Sequence, residues 1–259
     1  MNPVLLAFLG TLIAFFGTTL GASFIFFFRK GLNDTLNRIF LGFASGVMLA
    51  ASFFSLILPS MQYSEQQEMP VWLPLLIGFL LGALFLFVLD KVIPHQHLNN
   101  EKPEGPKSNL SKQLKLFIAV TLHNIPEGMA VGLAFAISGP DNPVSLIGAF
   151  ALAIGIAIQN IPEGAIISLP LQSEGLSKPK AFIFGMLSGI VEPIAGVLTA
   201  LLAYFLFPVV PFVLTFAAGA MVYVVVDELI PDASQEHSNV GVVSAILGFA
   251  LMMLLDTLL

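Results

Sequence analysis

The sequence predicts an all-α polytopic membrane protein with eight transmembrane helices, and three observations lead there. Of its 259 residues, 57% are hydrophobic and only 10% charged, with a mean hydropathy of +0.93. A soluble domain carries about 25% charged residues, so this chain has too few polar groups to cover a surface in water. Eight stretches reach the roughly 20 apolar residues needed to cross about 30 Å of hydrocarbon. Within each stretch the apolar residues run continuously instead of alternating, which disfavours a transmembrane barrel. The whole chain, 1–259, reads as a single transmembrane domain.

The first helix, about 3–28, is longer than a signal-peptide core, and its basic residues Arg29 and Lys30 follow it, so it is expected to remain as a helix. The second and third are expected at about 38–58 and 71–93. A long polar loop, 94–114, comes next; it is rich in Asn, Lys, Pro and Ser, is expected to be mobile, and contains His95 and His97. The fourth, fifth and sixth helices are expected at about 115–137, 145–171 and 179–206, and the seventh and eighth at about 209–231 and 240–258. Pro208 and Pro211 leave room only for a tight turn between the sixth and seventh. Gly pairs at i, i+4, such as Gly17/Gly21 and Gly42/Gly46, predict close helix contact.

Charge sets the expected orientation. All ten Lys and Arg lie in or beside the first, third and fifth loops, whereas the loops after helices two, four and six have none. Basic loops stay on the cytoplasmic side, so both termini are expected outside, in a multi-pass protein of the cell inner (plasma) membrane. Glu65, Glu68, Asp141 and Asp256 face outward without a base among them. Such a face concentrates cations. The net charge of −6 argues against nucleic acid as a partner.

Three carboxylates, Glu127, Glu163 and Glu192, remain inside the membrane. Two of them belong to a near-repeat, His123-Asn124-Ile125-Pro126-Glu127-Gly128 and Gln159-Asn160-Ile161-Pro162-Glu163-Gly164. Positions i, i+3 and i+4 share a helix face, so each motif presents three ligand-type side chains together. Pro126 and Pro162 remove helix N–H donors, which predicts a kink and a freed carbonyl beside those side chains. At 1.5 Å per residue, Glu127, Glu163 and Glu192 lie roughly 18, 12 and 20 Å from the inner ends of their helices and can meet near the midplane. An ionised carboxylate there costs at least about 2.5–3.5 kcal/mol, so three together need protons or a multivalent cation. Protonated acids that serve only to bond helices together are the structural alternative, but intramembrane ionisable residues are functional by default.

With no Cys, any metal site must use oxygen and nitrogen. One imidazole, three carboxylates and several amides suit Zn(II), Fe(II), Mn(II), Co(II) or Cd(II), and suit Cu(I) poorly. If Glu127 and Glu163 bridge, two ions fit: one near His123 and Gln159, the other near Asn124, Asn160 and Glu192. Asp90, His95, His97, Asp227 and Glu228, gathered at the inner ends of helices three and seven, are candidates for an exit path.

The two motifs, together with Ser188-Gly-Ile-Val-Glu192-Pro and the helix-seven segment Ala217 to Pro231, resemble the signature of the ZIP divalent metal transporters, particularly their bacterial GufA-like branch. The likeness spans nearly the whole chain. It implies a ZIP-like fold of two bundles, helices 1/4/5/6 carrying the metal against helices 2/3/7/8, and transport into the cytoplasm. It also implies one metal position from His123, Glu127, Gln159 and Glu163, and a second from Asn124, Glu127, Asn160, Glu163 and Glu192. Asn160 stands where some relatives have Asp, and the His-rich loop of many relatives is reduced here to His95 and His97.

The expected function is therefore transport of divalent metal, Zn(II) first and then Fe(II), Mn(II) or Cd(II). The metal is substrate and not cofactor, with one or two ions bound. The expected partners are these ions and the lipid bilayer, with a homodimer as the assembly to test. An intramembrane metallohydrolase is the alternative, but the chain lacks His-Glu-x-x-His and is not expected to be an enzyme. A passive channel would share the site.

Overall fold

The computed structural model describes residues 2–27, 33–95, 105–140, 142–173, 175–234 and 238–258. Among them, eight helices are long and apolar enough to cross a membrane. They are α1 (Pro3–Ser23), α2 (Asp34–Gln66), α3 (Trp72–Val92), α4 (Lys112–Ile137), α5 (Leu146–Ser173), α6 in two pieces, α6a (Lys178–Ser188) and α6b (Val191–Leu206), α7 (Phe207–Ala233) and α8 (Val240–Leu258).

Helix packing divides the spans into the two expected bundles. In one, α1 lies along α5 and α4 along α6b, and α1 also meets α4 and α6b; in the other, α2 lies along α8 and α3 along α7. Small residues make this possible. A Cβ on Gly164 would strike the Thr18 carbonyl of α1, and one on Gly46 would strike the Ala245 carbonyl of α8. Without a hydrophobic force between helices in lipid, such close approach is what gives dispersion its grip. Large apolar side chains point outward instead: Leu76, Leu80 and Leu84 of α3 and Ile246 and Leu254 of α8 are more than half exposed, as a lipid-facing surface requires.

Three elements differ from expectation. α2 continues past Leu58 to Gln66, because Pro59 falls where a helix tolerates it and the polar residues beyond find partners: Ser60 Oγ donates to the Pro211 carbonyl and Ser64 Oγ to that of Ser60, each at 2.8 Å. α1 ends at Ser23 and closes with a 3₁₀ turn, Phe24–Phe26. The sixth span is broken at Gly189 and Ile190, so Glu192 sits in the first turn of a new half-helix. The turn after α6b is a short 3₁₀ stretch, Phe207–Val209.

Both α2 and α7 contain one π turn, at Ser52–Ile57 and Val225–Leu229. In each, the residue after the first is exposed, Phe53 after buried Ser52 and Val226 after buried Val225. Such turns accommodate one extra residue in a helix and gather at functional sites.

Candidate metal centre

Seven polar side chains from three helices converge inside the α1/α4/α5/α6 bundle. His123, Asn124 and Glu127 come from α4, Gln159, Asn160 and Glu163 from α5, and Glu192 from α6b; all are buried. The i, i+3, i+4 spacing acts as expected, with each motif turning one face inward. Pro126 and Pro162 lie within their helices.

Hydrogen bonds set the orientation of the amides. Gln159 Nε2 donates to Glu127 Oε1 at 2.5 Å, and Asn160 Nδ2 to Glu192 Oε1 at 3.0 Å. Asn124 Nδ2 donates at 3.2 Å to the carbonyl of Ser188, the last residue of α6a. The NH₂ groups are thereby used, and six oxygens are left without a hydrogen-bond partner: Asn124 Oδ1, Glu127 Oε2, Gln159 Oε1, Asn160 Oδ1, Glu163 Oε2 and Glu192 Oε2. The cluster is lined by acceptors. Among the described residues, no three His, Asp or Glu side chains close around one point; amides are interleaved with the carboxylates.

The break in α6 gives Glu192 its place. At the first turn of α6b its carboxylate meets the positive end of a helix, and Thr18 Oγ1 of α1 donates to Glu192 Oε1 at 3.1 Å. Gly189 admits this approach, since a Cβ there would lie 2.9 Å from Thr18 Oγ1 and 3.1 Å from Glu192 Oε1. Thr18 escaped the sequence reading, as one hydroxyl on an apolar helix carries no ligand signal.

The inner candidates divide. Glu228 stands beside the centre, with Oε1 3.1 Å from His123 Nε2 across the seam between the bundles. A narrow cavity on that seam is lined by His123, Glu163, Glu228 and Asp232. Asp227 is exposed and is not part of that lining, because it falls on the other side of the π turn. Asp90 and His95 form a separate buried pair, Oδ1 to Nε2 3.6 Å, with His95 Nδ1 2.8 Å from the Ile93 carbonyl. His95 is fully buried and so departs from the expected mobile loop. His97 lies outside the described residues, as do Arg29, Lys30 and Asp141.

The family model described as "ZIP Zinc transporter" matches residues 95–256. A protein named zinc transporter ZIP11 from Xenopus tropicalis is 34% identical, over 98% of this chain and 97% of its own. Zinc transporter ZIPB from Bordetella bronchiseptica is 37% identical, over 98% of this chain and 81% of its own. Zinc transporter GufA from Myxococcus xanthus is 35% identical, over 83% of this chain and 84% of its own.

Proposed function

The chain belongs to the ZIP zinc transporter family, and from that premise we propose that it carries divalent transition-metal ions, Zn(II) foremost, across the inner membrane into the cytoplasm through the centre on α4, α5 and α6b. The family is one of transporters, and its named members lend no support to a metallohydrolase.

One observation carries the assignment to this centre: six buried oxygens, three of them carboxylate, share one cluster without a donor. A buried acceptor left without a partner costs about 1–3 kcal/mol, and a multivalent cation offsets that for all six together. In this reading His123, Glu127, Gln159 and Glu163 hold one ion, and Asn124, Glu127, Asn160, Glu163 and Glu192 a second. Mixed oxygen donors with a single imidazole favour Zn(II), Cd(II), Fe(II) and Mn(II).

Release then runs inward through the cavity beside His123, by way of Glu228 and Asp232. The direction rests on the ten bases, all in or beside odd-numbered loops, which puts both termini outside. Assembly as a homodimer belongs to the same reading and is decided by native mass in detergent. The main test is uptake into proteoliposomes with a panel of ions. Saturable Zn(II) uptake is expected, whereas flux that rises linearly with metal concentration would identify a channel, and no metal flux at all would end the proposal.

A further inference from the structure

Two crevices enter the seam between the bundles from opposite ends. The inner one reaches His123 and Glu163. The outer one, of about 430 Å³, is lined by Ser55 and Gln62 of α2 and Asp256 of α8, and extends along α4 to Ala134 and along α5 to Leu152. Ala134 and Leu152 are each seven positions from Glu127 and Gln159, which at 1.5 Å per residue leaves the outer crevice roughly 10 Å short of the centre. The centre therefore borders the inner crevice and is walled off from the outer one by roughly two turns of α4 and α5.

The two ends are built from copies of the same pieces. Residues 41–57 and 214–230 align without a gap, identical at Leu41/Leu214, Phe43/Phe216, Ala44/Ala217, Gly46/Gly219, Met48/Met221, Leu56/Leu229 and Ile57/Ile230. Their π turns begin at the matched positions Ser52 and Val225. The partner helices match as well: a Cβ on Gly248 of α8 would strike the Phe43 carbonyl, and one on Gly82 of α3 the Phe216 carbonyl. α2 runs outward and α7 inward, so Ser55 in the outer crevice is the counterpart of Glu228 in the inner one. The α2/α3/α7/α8 bundle thus offers related surfaces at both ends. The ends differ in how this bundle is tied to the other across the seam.

At the outer end that contact is made by Tyr63. It lies in the last turns of α2, 1% exposed, and its hydroxyl donates at 3.1 Å to the carbonyl of Ile137, the final residue of α4. Asn142 Nδ2 donates to the same carbonyl at 2.7 Å. The end of α4 is therefore capped from its own bundle and does not need Tyr63 for satisfaction. What the phenol adds is a tie between bundles.

We propose that Tyr63 is the outer latch of the transport cycle: its bond to Ile137 favours the inward-open arrangement and must break before the outer crevice can reach the centre. The proposal rests on the transport reading above.

The test uses Tyr63→Phe, which removes one oxygen and keeps the ring. The chain has no native Cys, so single reporters, Leu152→Cys at the inner limit of the outer crevice and Ala119→Cys on the inner one, can be labelled cleanly with a membrane-impermeant thiol reagent in oriented vesicles. Losing one buried hydrogen bond should raise the ratio of outer to inner labelling about fivefold. The half-saturating external Zn(II) concentration should fall with it, as the outward-open population grows. As a second route, a Tyr63→Cys/Ser138→Cys pair bridged by a short bifunctional thiol reagent should stop transport and leave Leu152→Cys unlabelled. An unchanged or reversed labelling ratio in folded Tyr63→Phe, or transport by the bridged pair, would overturn the latch. Labelling does not require transport, so failure of the latch and failure of the transport reading are separately visible.

Discussion

Glu127 occupies the middle of the centre, with Oε1 taken by Gln159 and Oε2 left without a partner, while Glu163 faces it from α5 with a second unpartnered oxygen. If both are shared ligands, no neighbour can replace either. Glu127→Ala or Glu163→Ala should reduce Zn(II) uptake at least tenfold at unchanged membrane expression; near-normal uptake by either variant would sink the shared-ligand role. His123 supplies the only ring nitrogen in the cluster, and imidazole suits Zn(II) better than harder ions. His123→Ala should therefore raise the half-saturating concentration for Zn(II) and Cd(II) more than for Mn(II), measured by competition uptake. An equal loss for every ion would mean that its contact with Glu228 serves gating or fold instead. At this scale the sequence was informative about ligands and silent about pairing. Spacing along one helix is written in the chain, but the meeting of His123 with Glu228, 105 positions apart, is decided by how two bundles pack.

Among the elements, the break in α6 and the glycine contacts do most to shape the centre. Ser188-Gly189-Ile190-Val191 lies inside a stretch apolar enough to span the bilayer, so average hydropathy does not announce a helix end, and the Ser-Gly pair is the one local turn signal. The break becomes intelligible only once the Ser188 carbonyl is seen to accept from Asn124 and the new N-terminus is seen beneath Glu192. The π turns were hidden for a related reason: one extra residue shifts the phase of an apolar pattern without changing its composition. Gly164 lies one residue past Glu163 and abuts the Thr18 backbone. Gly164→Val should force α1 and α5 apart at a cost of about 1–3 kcal/mol, lowering the melting temperature in detergent by several degrees. Gly148→Ala, whose added Cβ would meet only Ser145 Oγ at 3.3 Å, is the control. Equal melting of the two variants would show that the close contact is not needed.

For the molecule as a whole, hydropathy alone set out eight spans in the right order, since the length a bilayer demands is a constraint the sequence must display. The bundle grouping followed from resemblance and not from pattern, because partner choice between apolar helices depends on where small residues fall. Orientation is the remaining global expectation. With Cys introduced singly, Glu65→Cys should react with an impermeant thiol reagent on intact cells and Ser108→Cys only after permeabilisation. The reverse pattern would invert the inferred direction of transport.

The matched π turns also speak to how such a chain came to exist. An extra residue that occurs at aligned positions in α2 and α7 is most simply explained by one insertion made before the segment was copied. The ancestral unit then already carried the π turn where its copies carry it now. It also had to insert in either orientation, since its descendants cross the bilayer in opposite senses. On that history, two-sidedness was present from the start, and what came later was asymmetry: a carboxylate on one copy, a serine on the other, and bases drawn to a single side.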